Sequence, residues 1–122
     1  MMKRKTIKVG ILSRDAYKAR TIAIAKGEYV PKKEEPKIWF ESIKSLAQVL
    51  SNENRALLRV IIEKKPRSLA ELETLTGRKK PNLSRTLKTL EKYGFVEIKK
   101  EHNKTVPVVK ATDFQVEFDL AA

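Results

Sequence analysis

The stretch from Pro66 to Gly94 leaves this chain few folds to choose from. Pro66 stops any helix arriving from upstream, because proline lacks an N–H and clashes with the preceding turn. Ser68-Leu69-Ala70-Glu71 is a capping-box pattern, in which the serine hydroxyl accepts from the amide of Glu71 and the carboxylate reaches back. Leu69, Leu72 and Leu75 line the short helix that follows, and Gly77 ends it where a positive φ is needed. Pro81 is tolerated only in a first helical turn, so the next helix starts near Lys80. Leu83, Leu87 and Leu90 fall at i, i+4 and i+7 and form its buried stripe, and Gly94 ends it.

The flanks extend this pair of helices. Upstream, Ile43, Leu46, Ala47 and Leu50 make one apolar stripe, and Ser51 breaks that helix and caps the next. Leu57, Leu58, Val60, Ile61 and Ile62 are nearly continuous, so that next helix is expected to be the most buried. Downstream, residues 95–100 and 105–110 read as two strands around the polar turn Glu101-His102-Asn103-Lys104. Before all of this, Thr6 to Leu12 alternates as a strand, and Ser13 caps a helix whose thin apolar face is Ala16, Ala19, Ile22 and Ala23. Residues 31–37 are charged, hold two prolines and read as a linker, with Ile38 and Phe40 in a short strand beyond it. At the far end, Phe114, Val116, Phe118 and Leu120 alternate with polar residues in the cleanest strand pattern of the chain.

The expected fold is therefore α+β. A winged helix-turn-helix core spans residues 38–111, with a basic strand-helix extension over 1–37 and an acidic strand over 112–122.

Charge narrows the function. The 122 residues carry 27 Lys and Arg against 15 Asp and Glu, a formal net charge of +12. Residues 1–37, which open with Lys3, Arg4 and Lys5, hold 11 basic and 4 acidic groups, and residues 66–94 hold 7 and 3, whereas residues 95–122 hold 4 and 5. The excess is concentrated in two places, which points to a polyanionic partner rather than to a uniform solubilising coat. The absence of cysteine excludes disulfides and thiolate metal sites, and His102, the one histidine, has no clustered carboxylates around it. With no Ser-His-Asp set, phosphate-binding glycine loop or paired carboxylates, nothing suggests an enzyme, and no cofactor or metal is expected. No apolar run approaches ~18 residues, so no membrane-spanning helix is expected and a cytoplasmic protein is the expectation.

The helix opening near Lys80 is the candidate reading element, since the major groove admits one helix. Its outer face carries Lys80, Asn82, Ser84, Arg85, Lys88 and Lys92. Arg85 and Asn82 can make paired hydrogen bonds to guanine and adenine edges respectively. Arg78, Lys79, Lys80 and Lys88 are suited to neutralising phosphates, and Ser84 to either surface. The amides at the helix start offer a further anion site. Lys99, Lys100, Asn103 and Lys104 make the hairpin tip basic, so that Lys104 can reach a groove or its flanking phosphates.

The run from Gly77 to Glu97 resembles the recognition helix and following strand of MarR-type winged-helix regulators. The wider chain is similar to a small group of archaeal and bacterial regulators with an N-terminal extension, a Phe-Glu-Ser step (Phe40-Glu41-Ser42), a helix running from Ser68 to Leu72, a Gly-Arg turn and an acidic alternating C-terminal strand. The resemblance implies a repressor that contacts double-stranded DNA through Arg78, Lys80, Asn82, Ser84, Arg85 and Lys88. Some members of that group, the TumA-like antitoxins, also neutralise a small toxin encoded beside them. Two features depart from the pattern: Lys79 stands where a small polar cap is usual, and the long flanking dimer helices of MarR proteins have no counterpart. A homodimer would therefore be built by the chain ends. Pairing the first strand with the last, within or between chains, would bring Ile7, Val9 and Ile11 near Phe114, Val116 and Phe118, and in an antitoxin the last strand could hold the toxin by strand addition.

Overall fold

The computed structural model describes residues 4–120, so the expectation for Lys3 lies outside the described residues. The order is β1(Thr6–Ile11), α1(Arg14–Ala25), β2(Ile38–Phe40), α2(Ile43–Val49), α3(Asn52–Lys64), α4(Leu69–Thr76), α5(Lys80–Lys92), β3(Val96–Glu101), β4(Lys104–Val109) and β5(Asp113–Glu117). This is an α+β chain whose described strands form one sheet of order β2-β1-β5 and a separate β3-β4 hairpin. It divides into two compact units: residues 4–5 with 49–112, and residues 6–48 with 113–120.

In the first unit, each helix boundary has a local cause. Ser51 Oγ accepts from the amide of Asn54 at the start of α3, and Lys65 closes that helix in the left-handed region with φ of 46°. Ser68 Oγ accepts from the amide of Glu71 at 3.0 Å, while the Glu71 carboxylate accepts from the amide of Arg67, one residue further back than a standard capping box. Gly77 ends α4 with φ of 76°, a conformation in which a side chain would be strained. The buried faces meet in one core: Leu57, Leu58 and Ile61 from α3, Leu72 from α4, Leu83, Leu87 and Leu90 from α5, then Phe95, Val96 and Val109. Of the three leucines expected to line α4, Leu72 alone is fully buried. Leu69 is half-buried and Leu75 is 41% exposed, because eight residues make barely two turns and one stripe position points past the neighbouring helices.

The hairpin is closed by a two-residue loop. Glu101 pairs with Lys104, and His102 and Asn103 take φ of 50° and 65°, the double positive φ of a type I′ turn. Its inner face, Val96, Ile98, Pro107 and Val109, turns to the core, and the Lys110 amide donates back to the Phe95 carbonyl at 2.8 Å.

The second unit is a parallel sheet, and it moves the expected domain boundary. Ile38, Trp39 and Phe40 pair in parallel with Val9, Gly10 and Ile11. Residues 31–37 are thus the return leg of a β-α-β crossover rather than a linker between domains. Pro36 is buried in that leg, and Glu35 bonds Arg20 of α1 at 3.1 Å. Residues 38–48 therefore belong with the sheet and not with the helices that follow. Two prolines and a charge run look like a linker in sequence, but three short pairings are enough to make them a connection within a unit. The first and last strands do pair, within the chain and in parallel, with Ile7 opposite Phe114 and Val9 opposite Val116. Gly10 fits beneath the Trp39 ring: a Cβ there would lie 2.3 Å from the indole. The Arg20 guanidinium also lies over that ring, 5.0 Å from its centroid. No described helix is long and apolar enough to cross a membrane.

Candidate functional site

Helix α5 sets the site by dividing its side chains. With 3.6 residues per turn, burying Leu83, Leu87 and Leu90 turns Arg85, Lys88 and Lys92 to the opposite, exposed side. Lys79, Lys80 and Asn82 are exposed at the N-terminal end, and Ser84 is half-buried on one flank. None of Lys79, Lys80, Arg85 and Lys88 forms an ion pair among the described residues. Lys92 lies 5.9 Å from the Tyr93 ring, which itself stacks on buried Phe95. The outward face is thus a stripe of uncompensated cations on a rigidly held rod.

The start of α5 differs from expectation in two ways. Lys79 occupies the cap position and makes no side-chain cap bond. Glu73, reaching across the turn from α4, accepts from the Lys80 amide at 2.9 Å instead. Pro81 has no N–H to offer, so the protein's own carboxylate and a proline use most of the anion site expected at that helix start. Nothing in the local sequence signals Glu73, because the contact closes only when the Gly77 turn folds.

Arg78 is the second difference. It is half-buried and held within the protein. Its Nε and Nη2 donate to Asn82 Oδ1 at 2.9 and 2.6 Å, Nη2 also donates to Thr86 Oγ1 at 2.8 Å, and Nη1 donates to Asn54 Oδ1 at 3.4 Å. Asn54 in turn donates to the Val49 carbonyl at 2.9 Å. A chain of polar contacts therefore ties the start of α3 to the α4–α5 turn and to the flank of α5. Sequence reasoning found Arg78 and Asn82 as separate contacts and missed Asn54 and Thr86. The spacing of Asn82 and Thr86, one turn apart beside the leucine stripe, was the available signal. All the acceptors around Arg78 are neutral, so its charge adds to the field of the face without pointing into solvent.

Beside this network runs a cleft of about 600 Å³ between α3 and the α4–α5 turn, with Leu57, Val60 and Leu75 on its floor and Arg78, Lys79 and Asn82 at its rim. Leu75 owes its exposure to this opening. The hairpin presents Lys99, Lys100 and Lys104 outward, and Lys100 Nζ donates to Thr105 Oγ1 at 3.0 Å. The His102 side chain stands exposed on the turn, and among the described residues no three His, Asp or Glu side chains gather as a metal site.

Neither the curated proteins nor the solved structures contain a match to this chain. A family model described as HVO_A0114 matches residues 49–116, which begins with the helical unit just described and runs into β5. Those residues are more than half of the chain, and the protein belongs to the HVO_A0114 family.

Proposed function

We propose that this protein is a sequence-specific double-stranded DNA-binding regulator, acting as a repressor in the cytoplasm. In this reading residues 52–109 are a winged helix-turn-helix: α4 braces α5, α5 enters the major groove, and the β3–β4 hairpin is the wing that meets the flanking groove or its phosphates. The observation that carries it is the opposition on α5, where Leu83, Leu87 and Leu90 are buried to 1% exposure or less while Arg85 and Lys88 stand exposed and unpaired among the described residues. A helix that only packs has no need of an uncompensated cationic side, and a polyanion is the partner that rewards one.

Binding to the DNA upstream of its own gene, measured at several salt concentrations, tests the reading. Arg85→Ala is expected to cost about 1–3 kcal/mol of binding and to relax base preference at one position. Lys104→Ala is expected to weaken binding evenly across sequences and to flatten the salt slope by about one. Equal affinity for every duplex sequence would count against a regulatory role.

A second reading is supported by β5. It is an edge strand that ends at Glu117, short of the alternation expected through Leu120; its Val116 is 43% exposed, and Phe118 and Leu120, just beyond its end, are 56% and 95% exposed. An exposed apolar edge invites strand addition. A second copy of the chain, giving a homodimer, or a small protein toxin neutralised there, would cover it. Co-expression with the product of a neighbouring small gene tests the toxin arm, and sedimentation of the chain alone tests the dimer.

A further inference from the structure

An asparagine that reads adenine must both give and take: its amide N–H donates to N7 and its oxygen accepts from the N6 amino group. Asn82 cannot take. Arg78 Nε and Nη2 both donate to Asn82 Oδ1, at 2.9 and 2.6 Å, which fills the two lone-pair directions of that oxygen. The guanidinium is itself fixed from α5 by Thr86 and from α3 by Asn54, so it is not free to swing aside. The Nδ2 group of Asn82 makes no hydrogen bond among the described residues, and the residue is exposed. A charged donor on the carbonyl also polarises the amide and strengthens its remaining N–H groups as donors.

We propose that Asn82 is a donor-only reader that selects guanine, whose major-groove edge offers the acceptors O6 and N7, and rejects adenine, whose N6 amino group finds no acceptor. This rests on the DNA-binding reading above and names its specificity. The surroundings act in the same sense. Lys79, Lys80 and Arg85 carry donors only. Of the carboxylates nearby, Glu73 is turned to the Lys80 amide, and Glu53 lines the cleft from α3 rather than the face of α5. Ser84, half-buried on the flank, is the one side chain of this stretch that can also accept. A face so short of acceptors disfavours the amino groups of adenine and cytosine alike.

Selection of duplexes from a random pool, run with the wild-type chain, Asn82→Ala, Asn82→Asp and Arg78→Met, tests the proposal. Asn82→Asp keeps oxygens for Arg78 and removes both donors, so the melting temperature is retained while the contact is lost. The wild type is expected to enrich guanine at one position per site, and both Asn82 variants to lose that enrichment. Asn82→Ala is expected to bind the selected site about tenfold more weakly. Arg78→Met, which frees the oxygen, is expected to move that position toward adenine. Adenine enriched at the Asn82-dependent position by the wild type overturns the proposal, as does guanine retained by a folded Arg78→Met. An equal loss across all sequences in Asn82→Ala assigns the residue to phosphate and also overturns it. Failure of the wild type to bind any duplex is a different result, because it removes the DNA-binding reading together with this one.

Discussion

Residues 49–112 and the sheet of residues 6–48 and 113–120 solve the problem of burial very differently. The first buries side chains from three helices and a hairpin in one core, and Leu75 is its one large apolar side chain left exposed among the described residues. The second buries Val9, Phe40 and Leu46, while α1 buries none of its residues and Tyr17, Ile22, Val30, Ile43, Val116 and Phe118 stand open. Parallel sheets are normally covered on both faces, because their strands carry apolar residues on each. Here one face of β1 is polar, with Lys8 bonded to the Glu34 carbonyl and paired with Glu117 at 3.5 Å, and Trp39 shields Gly10. The helical unit has the burial to hold itself together. The sheet leaves an apolar surplus exposed.

The contrast gives an ordered set of expectations. Leu87→Ala empties a site that is 1% exposed and is expected to cost about 3 kcal/mol in urea denaturation followed by helical circular dichroism. A loss below about 1 kcal/mol would mean that the α5 stripe is not the centre of its core. Gly10→Ala forces a methyl group onto the Trp39 ring and is expected to cost about 2 kcal/mol. Trp39 is the one tryptophan of the chain, so its fluorescence reports the sheet alone. A Gly10→Ala transition that falls in fluorescence but not in helical signal separates the two regions, and equal shifts in both would make them one cooperative unit. Ser68→Ala removes the hydroxyl that takes the Glu71 amide and is expected to cost about 1 kcal/mol, seen in the helical signal. Arg85→Ala is expected to change stability by less than about 0.5 kcal/mol, since its side chain faces solvent.

The two regions were not equally readable in the sequence. Ser51, Ser68, Gly77, Pro81 and Gly94 punctuate residues 49–94 by local chemistry, and the leucine spacing on α5 fixes which side is buried, so the helices and the exposed stripe of Arg85, Lys88 and Lys92 could be read directly. The alternation of β1 and of the first half of the last segment was equally plain, and their pairing followed from two apolar edges, although β5 stops at Glu117 and Phe118 and Leu120 fall beyond it. The crossover was hidden. Ile38–Phe40 is three residues long, and its partner lies across a proline-rich segment that reads as a boundary. The Arg78 network and the Glu73 cap were hidden for the same kind of reason. The helical spacing of Asn82 and Thr86 hinted at one side of the network, but the Asn54 and Glu73 contacts cross between helices or a turn, where spacing along the chain carries no periodic signal.

The proposed regulator stands on contact between the cationic side of α5 and a DNA duplex. Titration of the 15N-labelled chain with its upstream duplex, read by amide chemical shifts, tests it most directly. The largest shifts are expected on residues 79–92, with a second group at 99–104, and Lys88→Ala is expected to shrink them at a given DNA concentration. Shifts confined to residues 6–48 and 113–120, or absent at about 50 mM salt, where phosphate contacts are strong, would contradict it.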